Sequence, residues 1–289
     1  MLGISRQAYY RRKWSKSKRQ DIALRVVELV SSIRQRMPRI GMRKMYHLLH
    51  APLQELKVGR DRFLSILKAN HLTIKPYRNY RTTTNSYHRF HKHKNLIENL
   101  SIVRPEQVWV SDITYIGNRN RKTYLALVTD AYSKKIVGFD LSNSLSAEGS
   151  IRALSMAIKQ RMYKEPLIHH SDRGIQYCCD EYQQVLSKNK INTSMTESYD
   201  PYANAVAERV NGILKDEFSL ERYNVNCGTM KAIVKDAIRI YNRERPHYSC
   251  YMNTPEWMHK QSNVIIRTYN SLKKKNSSLV GTGAPAPCR

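Results

Sequence analysis

Apolar residues recur at helical spacing over residues 21–37, where Ile22, Val26, Leu29, Val30, Ile33 and Met37 form one stripe and Pro38 stops the run. The pattern predicts an amphipathic helix there, a short helix over 43–50, and a third over 60–70 with Phe63, Ile66 and Leu67 turned inward. From 73 to 104 the period is lost, and the basic text TIKPYRNYRTTTNSYHRFHKHK reads as a linker. The grammar then changes. VWVSDITYI (108–116), TYLALVTDAYS (123–133) and KKIVGFDLS (134–142) are strand-like runs joined by short polar turns, as in an antiparallel meander. A helix follows over about 147–163, with Ile151, Leu154, Ile158 and Met162 in period. Next come a short strand PLIHHS, a helix over about 180–189, a strand at INTSM, and helices over about 203–218 and 230–242. This order predicts an α/β mixed sheet flanked by helices, preceded by an all-α unit. The Ser-, Gly-, Pro- and Lys-rich tail from Asn270 is expected to be disordered.

Charge sharpens this division. The 289 residues hold 50 Lys and Arg against 23 Asp and Glu, a formal charge of +27, which points to a polyanionic partner, nucleic acid first. Residues 1–94 contain 23 Lys and Arg and 4 Asp and Glu, a net of +19, leaving +8 for the other 195. Short basic helices in that region are similar to a helix-turn-helix unit, whose last helix lies in a DNA groove; a small bundle with a solvated basic face is the plainer alternative. No run of 18 apolar residues and no apolar signal core is present, so neither membrane nor export is expected. The five cysteines include no C-x-x-C pair and read as reduced thiols of a cytoplasmic protein. His88, His91 and His93 fit a basic linker better than a metal site.

The candidate chemistry begins with Asp112, a carboxylate inside an apolar strand, where an unpartnered charge is costly. A strand-end Asp meeting solvent or an Arg is the bland alternative. Asp172 follows the strand LIHHS and precedes Arg173 and Gly174, a place from which a side chain points into a site, although Asp is also an ordinary turn residue. In ANAVAERVNGILKDEF, Asn204, Glu208, Asn211 and Lys215 fall on one helix face and Val206, Val210 and Ile213 on the other; an ordinary solvated face has the same pattern. Three such carboxylates could converge on Mg²⁺, two ions about 3.5–4 Å apart being suited to phosphodiester chemistry. There is no G-x-x-x-x-G-K-[ST] loop, and no nucleotide cofactor is expected.

The order Asp112, Asp172, Glu208, with 35 residues between the last two, resembles the DDE triad of retroviral-integrase-type transposases. SDITYI, HSDRGIQY, NAVAERVNGILKDEF and YNRERPHYSCYMNTPEWMH resemble the second-reading-frame transposases of bacterial insertion sequences, over roughly residues 20–262. The resemblance implies a ribonuclease-H-like integrase core over 105–262, with the first Asp on the central first strand, the second after the fourth, and the Glu on a helix. It implies that these three are catalytic and bind Mg²⁺ or Mn²⁺, two ions in all, for strand cleavage at element ends and strand transfer. It further implies a helix-turn-helix over 21–75 that recognises terminal inverted repeats, a basic linker over 76–104 and a C-terminal extension over 263–289. Residues 1–20 resemble the end of an upstream helical DNA-binding segment, so fusion to an upstream reading-frame product is expected, as are a homo-oligomer on DNA and a cytoplasmic, nucleoid-associated location. Lys215, seven positions after Glu208, is the expected DNA contact of the family. Asn204, Arg43, Lys44, Arg60 and Arg62 are further DNA candidates, and His170 and Asn211 are candidates to support the carboxylates. The family commonly carries an Asp where this chain has Ala203. Asp130 is expected to cap a turn, Glu197 and Asp200 are not counted as ligands, and Arg245 and His247 could hold either DNA or the fold. A nuclease of the same fold and a DNA-binding regulator are the alternatives.

Overall fold

The computed structural model describes residues 3, 5–74, 93–98, 100–117, 123–196, 205–262 and 264–265. Helix α1 (Arg6–Arg36) starts where Ser5 accepts the Ala8 N–H at 3.2 Å and runs unbroken through residue 20, because nothing between carries a Gly or Pro. It is therefore longer than the periodic stretch 21–37, and only its second half buries residues: Val26, Val30 and Ile33. The helix expected over 43–50 is α2 (Met42–Leu48), followed directly by α3 (His50–Glu55). Pro52 lacks the N–H that a continuous helix would need, but fits the first turn of a new one. Helix α4 (Arg60–Ala69) buries Phe63 and Leu67. These residues pack with Met37, Ile40, Met45 and Leu53 into the core of the helical unit.

Strands β1 (Val108–Ile116), β2 (Thr123–Asp130) and β3 (Ile136–Ser142) form the antiparallel meander. Strands β4 (Leu167–Ser171) and β5 (Ile191–Met195) extend it in parallel on the other side of β1. The order β3-β2-β1-β4-β5 puts β1 in the centre, which is the ribonuclease-H-like mixed five-stranded sheet expected. Alternation along β1 sorts its side chains. Trp109 packs with α5 (Ala147–Lys159) and α7 (Asp180–Lys188), while Val108 and Val110 meet Ala207 of α8 (Ala205–Asp216). Asp112 shares the parity of Val108 and Val110, and so faces α8. Gly138 of β3 permits the close approach of α5, since an added Cβ would lie 2.1 Å from the Ala153 carbonyl oxygen. Helix α6 (Ile175–Cys178) is a single turn after β4, and α9 (Cys227–Arg243) and α10 (Pro255–His259) close the far side. Among the described residues no helix is long and apolar enough to cross a membrane. The four described cysteines, Cys178, Cys179, Cys227 and Cys250, are free. The tail from Asn270 and most of the expected linker, with His88 and His91, lie outside the described residues.

Helix α5 ends at Lys159, short of the predicted 163, and leaves Met162 half exposed. The cause is tertiary. The buried Glu106 carboxylate accepts the N–H groups of Met162 and Tyr163, each at 2.9 Å, and draws the chain out of the helix. Asp130 caps the β2–β3 turn as expected, accepting from Ser133 N at 2.8 Å and Ser133 Oγ at 2.6 Å. His259 completes the cluster, 3.0 Å from Ser133 Oγ and 3.5 Å from both Asp130 and Glu106. This Ser, His and Asp set is fully buried and its serine donates to the Asp, so it is a structural tie between α10 and the sheet edge.

Burial opposes a charge on His259, but hydrogen bonds to Asp130 and Glu106 outweigh it and raise its pKa above the ordinary value. A raised pKa means that the imidazolium contributes stability fully below about pH 6.5, the value in the unfolded chain, and loses it as pH climbs through the raised value. Melting temperature measured from pH 6 to pH 9 is expected to fall in the unsubstituted chain, and to lose that component of the slope in His259→Gln. An identical slope in both would assign the pH dependence elsewhere.

Candidate active site

Asp112 sits mid-strand in β1, opposite Leu127 of β2. Its Oδ1 accepts its neighbour's Ile113 N–H at 2.9 Å, and its Oδ2 accepts from Asn211 Nδ2 at 2.7 Å. Protein packs densely around the carboxylate, though part of its surface stays open to solvent. Burial first, then the negative charge of Asp172, push its pKa up to about 7; Asn211 and the Ile113 N–H pull the other way, and Glu208 adds a smaller push. The repulsion places all three carboxylates in one electrostatic neighbourhood.

Asp172 follows β4 directly and bends back to accept the Gly174 N–H at 2.9 Å. A Cβ on residue 174 would lie 2.9 Å from Asp172 Oδ1, so a larger residue there would shift that carboxylate. Glu208 lies in the first turn of α8, exposed, where the positive helix end favours a carboxylate. Asn211 follows one turn later on the buried side. Its Oδ1 is buried and, among the described residues, has no hydrogen-bond partner, an acceptor left over beside Asp112. Among the described residues no three His, Cys, Asp or Glu side chains enclose a common point closely enough to cage an ion. Asp112 and Asp172 are half-buried, and Glu208 is exposed.

His170 of β4 is on the same sheet face as Val110, its register partner. Ser194 Oγ accepts Leu96 N–H at 2.9 Å and shares a hydrogen bond of 2.9 Å with His170 Nδ1, whose direction follows the imidazole tautomer. His170 Nε2 is buried without a partner among the described residues, and burial lowers the pKa to about 4. Sequence reading missed Tyr177, five residues after Asp172. Its phenol is buried, and burial first, then the charge of Asp112, raise its pKa well above the ordinary value. The only signal for it was its place at the end of HSDRGIQY.

The basic candidates separate. Arg43, Arg60 and Arg62 are exposed on the helical unit. Lys44 is not, because its ammonium lies 2.7 Å from Glu217 in an ion pair, with the side chain 17% exposed. Lys215 lies 3.6 Å from Glu221. Asn204, Glu197 and Asp200 lie outside the described residues. Arg245 and His247 hold the fold: Arg245 is 1% exposed and doubly bonded to Glu217, and burial, followed by the charge of Arg245, lowers His247 to about 3.

The family described as integrase core domain matches residues 103–201, and a second family of the same description matches 189–255. The uncharacterized 31 kDa protein of insertion element IS600 from Shigella sonnei is 35% identical over 257 residues, covering 86% of this chain and 92% of the relative. Transposase InsF of insertion sequence IS3fB from Escherichia coli strain K12 is 31% identical over 198 residues, covering 68% of this chain and 69% of the relative. Among solved structures, the HTLV-2 integrase catalytic core domain in complex with magnesium is 20% identical with a TM-score of 0.44, over 54% of this chain and 98% of that one.

Proposed function

The chain belongs to the integrase-core transposases of bacterial insertion sequences, and from that premise we propose that Asp112, Asp172 and Glu208 are the catalytic, metal-binding residues of a strand-transferring active site. The enzyme is a DDE-type polynucleotidyl transferase acting in DNA transposition and integration. The observation that carries the residue assignment is Asp112 itself: a carboxylate on the central strand, facing α8 and repelled by Asp172 and Glu208.

A divalent cation fits this donor set. The carboxylates that repel one another around Asp112 and the Asn211 oxygen beside them are hard oxygen groups, which suit Mg²⁺ or Mn²⁺. Two ions held by the triad would supply the Lewis acidity that activates water for cleavage and then the freed 3′-hydroxyl for attack on target DNA. Asn211 fixes the rotamer of Asp112 through its Nδ2, and the Gly174 N–H fixes Asp172, so two carboxylates are oriented before DNA arrives. Glu208, exposed on the first turn of α8, supplies the third from the DNA side.

The exposed Arg43, Arg60 and Arg62 would contact DNA phosphates at the terminal inverted repeats. Lys215, seven residues after Glu208, and Asn204, outside the described residues, are the further DNA contacts of this reading. Homo-oligomers pairing two ends, fusion to an upstream reading-frame product and nucleoid association complete the proposal. The test is a branched oligonucleotide that mimics the joined end and target, incubated with the chain and Mn²⁺ or Mg²⁺. Metal-dependent resolution is expected, with Glu208→Gln reduced on the order of a hundredfold or more. Equal resolution by Glu208→Gln would remove Glu208 from the site.

A further inference from the structure

We propose that Glu217 is a positioning residue that locks the N-terminal helical unit to the catalytic helix, and so sets which phosphodiester is cut relative to the DNA that the unit holds. The inference rests on the active-site reading above. Glu217 is the residue immediately after α8, tied to that helix by its N–H to the Ile213 carbonyl at 2.8 Å. Everything else it touches belongs to other elements. Arg245 donates to both carboxylate oxygens, at 2.7 and 2.8 Å, and Lys44 of α2 donates at 2.7 Å. The Glu217 carbonyl accepts the N–H of Arg39, in the turn between α1 and α2, at 2.9 Å. The carboxylate and the carbonyl of one residue thus grip the helical unit at two points five residues apart.

A second pin lies alongside. Arg36, at the end of α1, is ion-paired with Glu244, the neighbour of Arg245. Beneath both, one continuous apolar cluster joins Val30, Ile33, Met37 and Phe63 of the unit to Val210, Ile213 and Leu214 of α8 and Tyr241 of α9. The same helix therefore carries Glu208 near one end and the anchor of the unit at the other. Nine residues of helix rise about 13 Å, the length of roughly four base pairs. Residues 94–104 are already bonded to the core, through Leu96 N–H to Ser194 and Arg104 to the Pro166 carbonyl, so without this junction the two parts would be connected only through residues 75–92, and a free chain of about 18 residues spans an r.m.s. distance of roughly 23 Å. A spread on that scale covers many phosphodiesters; a packed, ion-paired junction does not.

The experiment uses the full chain, Mn²⁺ and an end-labelled duplex carrying the terminal inverted repeat of its own element, with cuts mapped to the nucleotide. The readout is the fraction of cuts at the main position, which does not depend on total activity. Lys44→Met, which leaves the Glu217–Arg245 pair in place, and Glu217→Gln are expected to lower that fraction about threefold or more and spread cuts over neighbouring positions. Lys44→Arg, which can remake the pair, is expected to restore it. Resolution of the branched oligonucleotide, which asks nothing of the helical unit, is expected to fall less than about threefold in Glu217→Gln. An unchanged cut distribution in Lys44→Met overturns the proposal, whether or not Glu217→Gln folds. Failure of the unsubstituted chain to resolve the branched oligonucleotide would instead overturn the active-site reading beneath it.

Discussion

Asp112→Asn is expected to lower strand transfer by about a thousandfold or more while leaving DNA binding within about twofold. The side chain is isosteric, so the loss does not come from packing. What disappears is one anionic oxygen in the site, and a loss of several kcal/mol of transition-state stabilisation is the scale on which metal ligation acts. Folding is not expected to suffer. Among the described residues Asp112 is held by two hydrogen bonds, from Ile113 N–H and Asn211, and burial with two neighbouring carboxylates works against its charge. The assay is strand transfer on a labelled end, read beside gel-shift affinity and melting temperature. Transfer by the variant within tenfold of the parent would take Asp112 out of the chemistry. A melting temperature lowered by many degrees would mark it as structural.

Arg245→Met is expected to destabilise the chain by about 3–5 kcal/mol, the range seen when one partner of a buried ion pair is removed. Arg245 is almost wholly buried, lies over the Tyr241 ring at 5.5 Å, and makes the bidentate contact that Glu217 depends on. Burial alone would raise the Glu217 carboxyl; Arg245, with Lys44 behind it, outweighs that and holds it at about 2. Lys44 itself is lowered, by burial and then by the charge of Arg245, so the lysine is the weaker support and the arginine the stronger. A depressed carboxyl contributes stability that is present above its unfolded value near 4.5 and lost as pH falls towards 2, here about 3 kcal/mol. In Arg245→Met the carboxyl moves back towards its unfolded value, so this component of the acid-induced loss should shrink and the gap between the two proteins should be smaller at pH 4 than at pH 7. Urea unfolding of both proteins at pH 7 and pH 4 checks both statements; a difference under about 1 kcal/mol at pH 7 would show that the pair is not needed.

The sequence by itself determined the elements and the order of the carboxylates. Period-2 and period-3.6 patterns need only neighbours along the chain, so β1, α8 and the amphipathic half of α1 were legible, as was the anomaly of Asp112 among Val, Ile and Trp. Where the chain contacts itself at long range, local pattern was silent. Helix α5 stops at Lys159 because Glu106, more than fifty residues away, takes the N–H groups of Met162 and Tyr163. Lys44 reads as one more cation on a basic helix; that Glu217 lies within 2.7 Å of it is set by the tertiary structure. Arg245 was ambiguous for the same reason, since a guanidinium at a helix end suits DNA and a buried carboxylate equally well. Which partner a charge finds is fixed by the fold, because an ion pair depends on a separation in space that sequence separation does not report.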